Sequence, residues 1–234
     1  MIFYFILLIV ILIVVKNIYD LQQFSHSAEL VQLQNPNHIT IKELILVKSP
    51  IVIHNLVGKY NDISSLTIDS LIHDNPGYII NDNGKNISLS SFNENESMYV
   101  LNNNEINDHI GLQHSLTDIS KSFGNKLTCN VTNELSILKG NHSISLEQNK
   151  HNCEYYTQLS GNTFFYLFNP KHKEDILNKE NNEIKKWSIK INLKSGIIIY
   201  IPPGWYYFFE SDGETIMNKT YSDNYFTWFY NYLR

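Results

Sequence analysis

The chain lacks the sequence signatures of several common enzyme classes. It has no phosphate-binding P-loop, no Rossmann glycine pattern, no Gly-x-Ser-x-Gly nucleophile elbow and no Cys-x-x-Cys pair. It also lacks an excess of basic residues, since 18 Lys and Arg stand against 23 Asp and Glu, for a net charge of −5 and a pI near 6.0. A nucleic-acid partner favours a basic surface, so the composition argues against one.

Cysteine is scarce, because Cys129 and Cys153 are the only two in the chain. An oxidising compartment would permit a disulfide between them, but two free thiols are at least as good an interpretation. Five Asn-x-Ser/Thr sequons would suit a glycoprotein in such a compartment, although Asn, Ser and Thr are abundant enough to produce them by chance. The candidate glycosylation sites are Asn86, Asn95, Asn130, Asn141 and Asn218.

A long apolar run opens the chain, and residues 1–15 hold no polar group beyond the Tyr4 hydroxyl. As a helix this run reaches about 22 Å, and Lys16 could extend that reach towards a hydrocarbon core of about 30 Å. We predict an uncleaved transmembrane signal-anchor over residues 1–19, followed by a polar juxtamembrane stalk over residues 20–40. A cleaved signal peptide and a buried helix are the alternatives.

The remaining residues, 41–234, are interpreted as one domain. The chain has 234 residues, of which 43% are hydrophobic and 18% charged, enough for one core. The 15 Tyr and 12 Phe favour strands, so we expect a mainly β fold. Asn, Ile, Lys and Tyr are frequent and Ala is nearly absent, which is typical of an A+T-rich genome and suggests a viral membrane or virion protein.

Three segments resemble parts of the JmjC-type, cupin-like oxygenases. The sequence IPPGW at residues 201–205 resembles the family's Ile-Pro-x-x-Trp after a strand, QLSG at residues 158–161 its Gly turn between two strands, and SPI at residues 49–51 its opening strand. The resemblance covers residues 41–232. It implies a double-stranded β-helix, which is a jelly-roll or cupin barrel, with added helices, and here a transmembrane helix would precede it.

The resemblance also implies where an iron site would lie. Members are Fe(II)/2-oxoglutarate oxygenases, which hold the metal with two His and one carboxylate. Ungapped counting from the motifs puts these three ligand positions at Gln148, Lys150 and Tyr207. The position at which the family has a basic residue that binds 2-oxoglutarate is Thr163. All four positions are replaced, and an ammonium group at a ligand position repels a divalent cation. The chain is therefore expected to have no catalytic or metal-binding residues and no cofactor.

Other residues could substitute for the missing ligands. His142 and His151 lie near the expected segment, so a small gap in the alignment could bring either to the site, but loop histidines are the simpler interpretation. The literal His-x-Glu match at residues 172–174 is better explained by chance. If Lys150 is buried, it needs a carboxylate partner, for which Glu147 and Glu154 are candidates.

These observations favour a membrane-anchored, non-catalytic JmjC/cupin-like domain that serves as a structural or binding module. The membrane and an unidentified protein are its expected partners, and the domain would be lumenal, external or on a virion membrane. One alternative is an active Fe(II)/2-oxoglutarate-dependent protein hydroxylase with rearranged ligands. Another is a cupin that binds a sugar or a different small ligand at its aromatic mouth.

Overall fold

The computed structural model describes residues 2–23, 25, 29–60, 63, 66–82, 85–124 and 127–232. Its strands are β1 (Val31–Gln34), β2 (Ile51–His54), β3 (Ile79–Asp82), β4 (Lys85–Ser88), β5 (Met98–Asn103), β6 (Thr128–Lys139), β7 (Glu147–Gln148), β8 (Cys153–Phe168), β9 (Ile189–Lys194), β10 (Ile198–Ile201) and β11 (Tyr206–Asn224). Its α-helices are α1 (Ile2–Gln22), α2 (His38–Val47), α3 (Ile68–Asp74), α4 (Ser91–Glu94), α5 (Glu105–His109), α6 (Gln113–Lys121), α7 (Lys173–Ile176), α8 (Asn181–Ile184) and α9 (Tyr225–Tyr232).

One mixed sheet of nine strands organises the chain. Its order is β1-β2-β10-β8-β11-β6-β5, with β7 also paired to β11 and β9 also paired to β8. The pair β1–β2 is parallel, and the other pairs of this sheet are antiparallel. Strands β3 and β4 form a separate two-stranded sheet.

The long strands β8 and β11 pair with each other and connect two groups of neighbours. The first half of β8 has β10 on its other edge and the second half has β9. The first half of β11 contacts β7 and the second half contacts β6. Their register breaks between Asp212 and Ile216, next to Gly161. Gly161 has φ 78°, and a Cβ there would overlap the carbonyl oxygen of Glu214, so this break requires glycine.

Hydrophobic side chains lie on both faces of the sheet. On β11, Tyr207 and Phe209 belong to one buried cluster, whereas Tyr206 and Phe208 belong to another, packed on α7 and α8. Successive strand residues point to opposite faces, which explains this alternation. Trp205, fully buried, joins the cluster of Tyr207. A third and larger cluster packs the helices between residues 38 and 121 against the sheet.

The expectation of a mainly β, double-stranded β-helix is wrong, because the structure is mixed α/β. Nine α-helices lie among the described residues, and five of them, α2 to α6, fall within residues 38–121. Short apolar stretches there form helices that cover one face of the sheet instead of further strands of a barrel. The segment expected to be a stalk contributes β1, which pairs in parallel with β2.

The transmembrane assignment is also wrong. Within the part of the chain that the structure describes, no helix has both the length and the apolar character needed to cross a membrane. The apolar part of α1 ends at Val15, and Lys16, Asn17 and Asp20 follow inside the same helix. Its apolar length of about 22 Å is shorter than a hydrocarbon core of about 30 Å. The single-pass membrane localisation and the virion-membrane interpretation depended on this segment, so they are withdrawn with it.

Candidate functional site

Two of the three predicted ligand positions lie on neighbouring paired strands. In the β7–β11 pair, Gln148 is opposite Tyr206, and Glu147 is opposite Tyr207. The amide of Gln148 donates to the carbonyl oxygen of Gly204 at 3.1 Å. Gln148 and Tyr207 therefore come close through their backbones, and the side chain that meets Tyr207 is that of Glu147.

The other two predicted positions do not join this group. Lys150 is exposed, and its carbonyl accepts a hydrogen bond from Asn231 at 3.0 Å. Thr163 is buried on β8, where its hydroxyl lies 3.2 Å from that of Thr215 at the bend in β11. Neither residue contributes to the polar centre described next.

A buried lysine forms that polar centre. The Nζ of Lys219 donates to the Tyr207 hydroxyl at 3.0 Å and to Oε2 of Glu147 at 3.1 Å. The Tyr207 hydroxyl donates to the same Glu147 oxygen at 2.8 Å and lies 3.1 Å from the hydroxyl of Tyr156. Oε1 of Glu154 is 3.8 Å from the ammonium nitrogen. One ammonium group thus connects two carboxylates and a phenol.

Strand register explains why these side chains meet. On β11 and β8, Lys219 is opposite Tyr156, and Tyr221 is opposite Glu154. Side chains two residues apart share one face of a strand, so Lys219, Glu154 and Tyr156 all project from the same face. Tyr207 and Glu147 come from the other half of β11 and from β7, and their contacts with Lys219 show that the bent sheet brings the two halves together.

Electrostatics keep the ammonium group charged. Burial alone would lower the pKa of Lys219, but the neighbouring Tyr156, Glu154 and Glu147 raise it above its ordinary value. Burial raises the pKa of Glu154, and the nearby Lys219 partly opposes this rise. Burial also raises the pKa of Tyr207 well above its ordinary value. At neutral pH the centre therefore holds a charged lysine and a neutral phenol.

This donor set does not fit the iron that the resemblance implies. A neutral phenol is a poor ligand for a divalent metal, and an ammonium group close to it repels a second cation. Oε2 of Glu147 already accepts hydrogen bonds from Lys219 and Tyr207. Among the described residues, no group of three or more His, Cys, Asp and Glu is arranged to hold a metal.

The two substitute histidines lie in different places. Nδ1 of His151 is 2.7 Å from Oδ2 of Asp223, and its ring stacks on Tyr221. Nε2 of His142 is 2.8 Å from the carbonyl oxygen of Lys139. His151 lines the cavity beside Lys219, whereas His142 lines a separate cavity of about 340 Å³. The structure therefore does not bring these two histidines together.

A cavity of about 470 Å³ opens beside the Lys219 centre. Its wall combines acidic, basic, amide and apolar side chains. The lining residues are Leu146, Glu147, Gln148, Lys150, His151, Glu154, Leu177, Tyr206 and Lys219. Two of the predicted ligand positions, Gln148 and Lys150, are thus in the wall of the cavity, and the predicted carboxylate partners Glu147 and Glu154 are there as well. The buried cation that pairs with Glu147 and Glu154 is Lys219. Lys150, the expected partner, is exposed.

The sequence did not identify Lys219 as part of a site. The available signal was a lone lysine in residues 216–222, whose other members are all uncharged. Recognising it required the second half of β11 to be predicted as a strand. The partners of this lysine on β7 and β8 are at least 63 residues away in sequence, so only the register could reveal them.

The glycan and thiol expectations have separate outcomes. Cys129 and Cys153 are both free, so they do not form a disulfide. Asn218 is fully buried and donates to Thr220, which leaves no room for a glycan there in the folded chain. Asn86, Asn95 and Asn141 are exposed, and Asn130 is half-buried.

No known family model matches this chain, and no curated protein matches it significantly. The resemblance to the JmjC-type oxygenases therefore stays a prediction based on the three motifs.

Proposed function

We propose that this chain is a non-catalytic binding module, in which the ammonium group of Lys219 occupies the place that a metal would take in an oxygenase. The contact of this ammonium with both Tyr207 and Glu147, at 3.0 and 3.1 Å, carries the proposal. Tyr207 is one of the three positions at which the resemblance implies an iron ligand. A permanent internal cation there repels a divalent metal ion.

The arrangement favours a structural role for the charged groups. Lys219 is 8% exposed and Glu154 is 1% exposed, and buried charges are tolerated in proteins when they are paired. A metal-dependent oxygenase keeps open coordination positions for its co-substrate and oxygen. Here the ammonium group of Lys219 and the hydroxyl of Tyr207 lie beside the carboxylates of Glu147 and Glu154. The groups that stabilise the sheet therefore leave no open coordination position for a metal-dependent oxygenase.

The cavity supports a binding role. Its volume of about 470 Å³ lies within the range of roughly 300–1,000 Å³ that is usual for small-molecule sites. Its wall offers apolar contact from Leu146, Leu177 and Tyr206, together with charged groups of both signs. Such a mixture suits recognition of a small polar molecule.

The direct test is an assay of the full chain for iron-dependent conversion of 2-oxoglutarate to succinate, without added substrate and with an active oxygenase in parallel. We expect no succinate above the background of the heat-denatured chain. Iron-dependent turnover by the folded chain would overturn the proposal. It would favour the protein hydroxylase with rearranged ligands.

A further inference from the structure

One residue in the cavity wall, Glu154, has a buried carboxylate oxygen without a hydrogen bond among the described residues. Oε1 of Glu154 has no hydrogen-bond partner among the described residues, although the residue is only 1% exposed. Its nearest cation, Nζ of Lys219, is 3.8 Å away, beyond hydrogen-bond distance. Leaving a buried polar atom unpaired is costly, so a donor that reached this oxygen would stabilise the site.

The charges around this oxygen favour a cationic donor. Glu134, Glu147 and Glu154 all interact electrostatically with Lys219, and Asp223 is already paired with His151. One buried ammonium thus lies within 4 Å of two carboxylates, those of Glu147 and Glu154. A neutral hydroxyl could donate to Glu154, but it would leave this excess of negative charge uncompensated.

The geometry favours an ammonium group over a guanidinium. A guanidinium binds best when two oxygens of one carboxylate accept its paired N–H groups, whereas the unpartnered acceptor here is a single oxygen. An ammonium is compact and can donate to one oxygen at a time. Lys219 would repel it, but a ligand in direct contact with Glu154 lies closer to the carboxylate than to Lys219, so attraction exceeds repulsion.

We propose that the cavity binds a small molecule through a primary ammonium group, which donates to Oε1 of Glu154 while the attached carbon chain contacts Leu177 and Tyr206. This proposal rests on the proposed function, since it names the ligand class of the same binding module. The exposed Lys150 lies at the rim of the cavity and makes no contribution to holding the ammonium.

The probe is n-butylammonium chloride, titrated into the isotopically labelled full chain at neutral pH and followed by NMR. The controls are n-butanol, which has the same carbon chain without the charge, and sodium chloride at equal ionic strength. We expect saturable shifts with n-butylammonium alone. Equal shifts with n-butanol or with salt, or the absence of saturable shifts, would overturn the proposal.

Two variants locate the binding. Glu154→Gln keeps the shape of the side chain and removes its charge, so we expect affinity to fall about tenfold or more, as for the loss of a hydrogen bond to a charged group. Lys194→Gln, a charge change at an exposed residue outside the cavity wall, should not weaken binding. Unchanged affinity in Glu154→Gln would contradict the assignment.

A measurement on the unaltered chain gives the same answer if Glu154→Gln fails to fold. Nuclear Overhauser effects should connect the butyl group with Leu177 and Tyr206, and contacts elsewhere would overturn the assignment. This failure is distinguishable from failure of the proposed function. If the chain binds no amine and forms no succinate, only the proposed ligand class is wrong. If the chain forms succinate, the proposed non-catalytic function is wrong.

Discussion

The ammonium nitrogen of Lys219 lies 3.0 Å from the hydroxyl oxygen of Tyr207, although the two residues belong to the same strand and are 12 positions apart. An unbent strand rises about 3.3 Å per residue, so it would separate them by roughly 40 Å. The break in register between Asp212 and Ile216 folds the two halves of β11 towards each other. The fold and the candidate site therefore depend on the same bend.

Replacement of Lys219 should destabilise the chain strongly. Lys219→Met keeps much of the side-chain volume but leaves Glu147 and Glu154 without their cation. Removing one partner of a buried ion pair costs about 3–5 kcal/mol, so we expect a loss of that size in urea unfolding at neutral pH. The loss should shrink in acid, because protonated carboxylates no longer need the cation.

An exposed lysine provides the matched control for Lys219→Met. Nζ of Lys121 is 2.6 Å from Oδ1 of Asp118, and its side chain is 69% exposed. Lys121→Met should change stability little, because solvent screens exposed pairs. Equal losses of stability in Lys219→Met and Lys121→Met would contradict the claim that burial makes the ion pairs of Lys219 more important for stability than an exposed pair.

Gly161→Ala should disturb the bend more than Gly204→Ala does. Both glycines have positive φ, 78° and 81°, so alanine is strained at either position. At Gly161 the added Cβ would also overlap the carbonyl oxygen of Glu214, whereas at Gly204 the nearest atom is Cγ of Pro170 at 3.8 Å. We expect Gly204→Ala to lower the free energy of unfolding by about 1–2 kcal/mol from backbone strain alone. The loss in Gly161→Ala should be clearly larger.

Thermal or urea unfolding of the two glycine variants makes the comparison. Chemical shifts near Lys219 should move more in Gly161→Ala than in Gly204→Ala. Similar losses of stability in both variants would contradict the role assigned to the close approach of the two strands at the bend.

Alkaline pH should unfold the chain through its buried tyrosines. Burial raises the pKa of Tyr155, Tyr156, Tyr200 and Tyr207. In the unfolded chain a tyrosine ionises near pH 10, while in the folded chain these four stay neutral. Their contribution to stability is complete below about pH 10 and is lost as pH rises further, by up to about 1.4 kcal/mol per pH unit for each.

Urea unfolding between pH 8 and pH 11, followed by circular dichroism and by phenolate absorbance, checks this dependence. Tyr200→Phe is the informative variant, because the Tyr200 hydroxyl is buried without a hydrogen-bond partner among the described residues. This variant should fold well and show a shallower loss of stability. Phenolate absorbance that rises fully before unfolding would contradict the burial of these hydroxyls in solution.

Local patterns in the sequence predicted part of the fold. The opening strand expected at residues 49–51 begins at Ile51 as β2, and the strand expected before the two prolines of residues 201–205 is β10, which ends at Ile201. The motif at residues 158–161 does contain the positive-φ glycine of a bend, although β8 continues through it. These features depend on neighbouring residues, which a sequence displays directly.

Features that depend on distant residues were not predictable in the same way. The parallel pairing of β1 with β2 joins a segment taken for a stalk to the main sheet. Lys219 meets Glu147 across 72 positions, and no local pattern records that contact. The apolar start of the chain had the composition of a membrane helix, but Lys16, Asn17 and Asp20 inside α1 shorten its apolar part.

The most direct test of the central claim, that Lys219 takes the place of a metal, is a calorimetric titration of the full chain with Mn(II), with Ni(II), and with Fe(II) without oxygen. The account predicts no stoichiometric binding of any of the three. Tight binding of one metal per chain, abolished by His151→Ala or by His142→Ala, would contradict it.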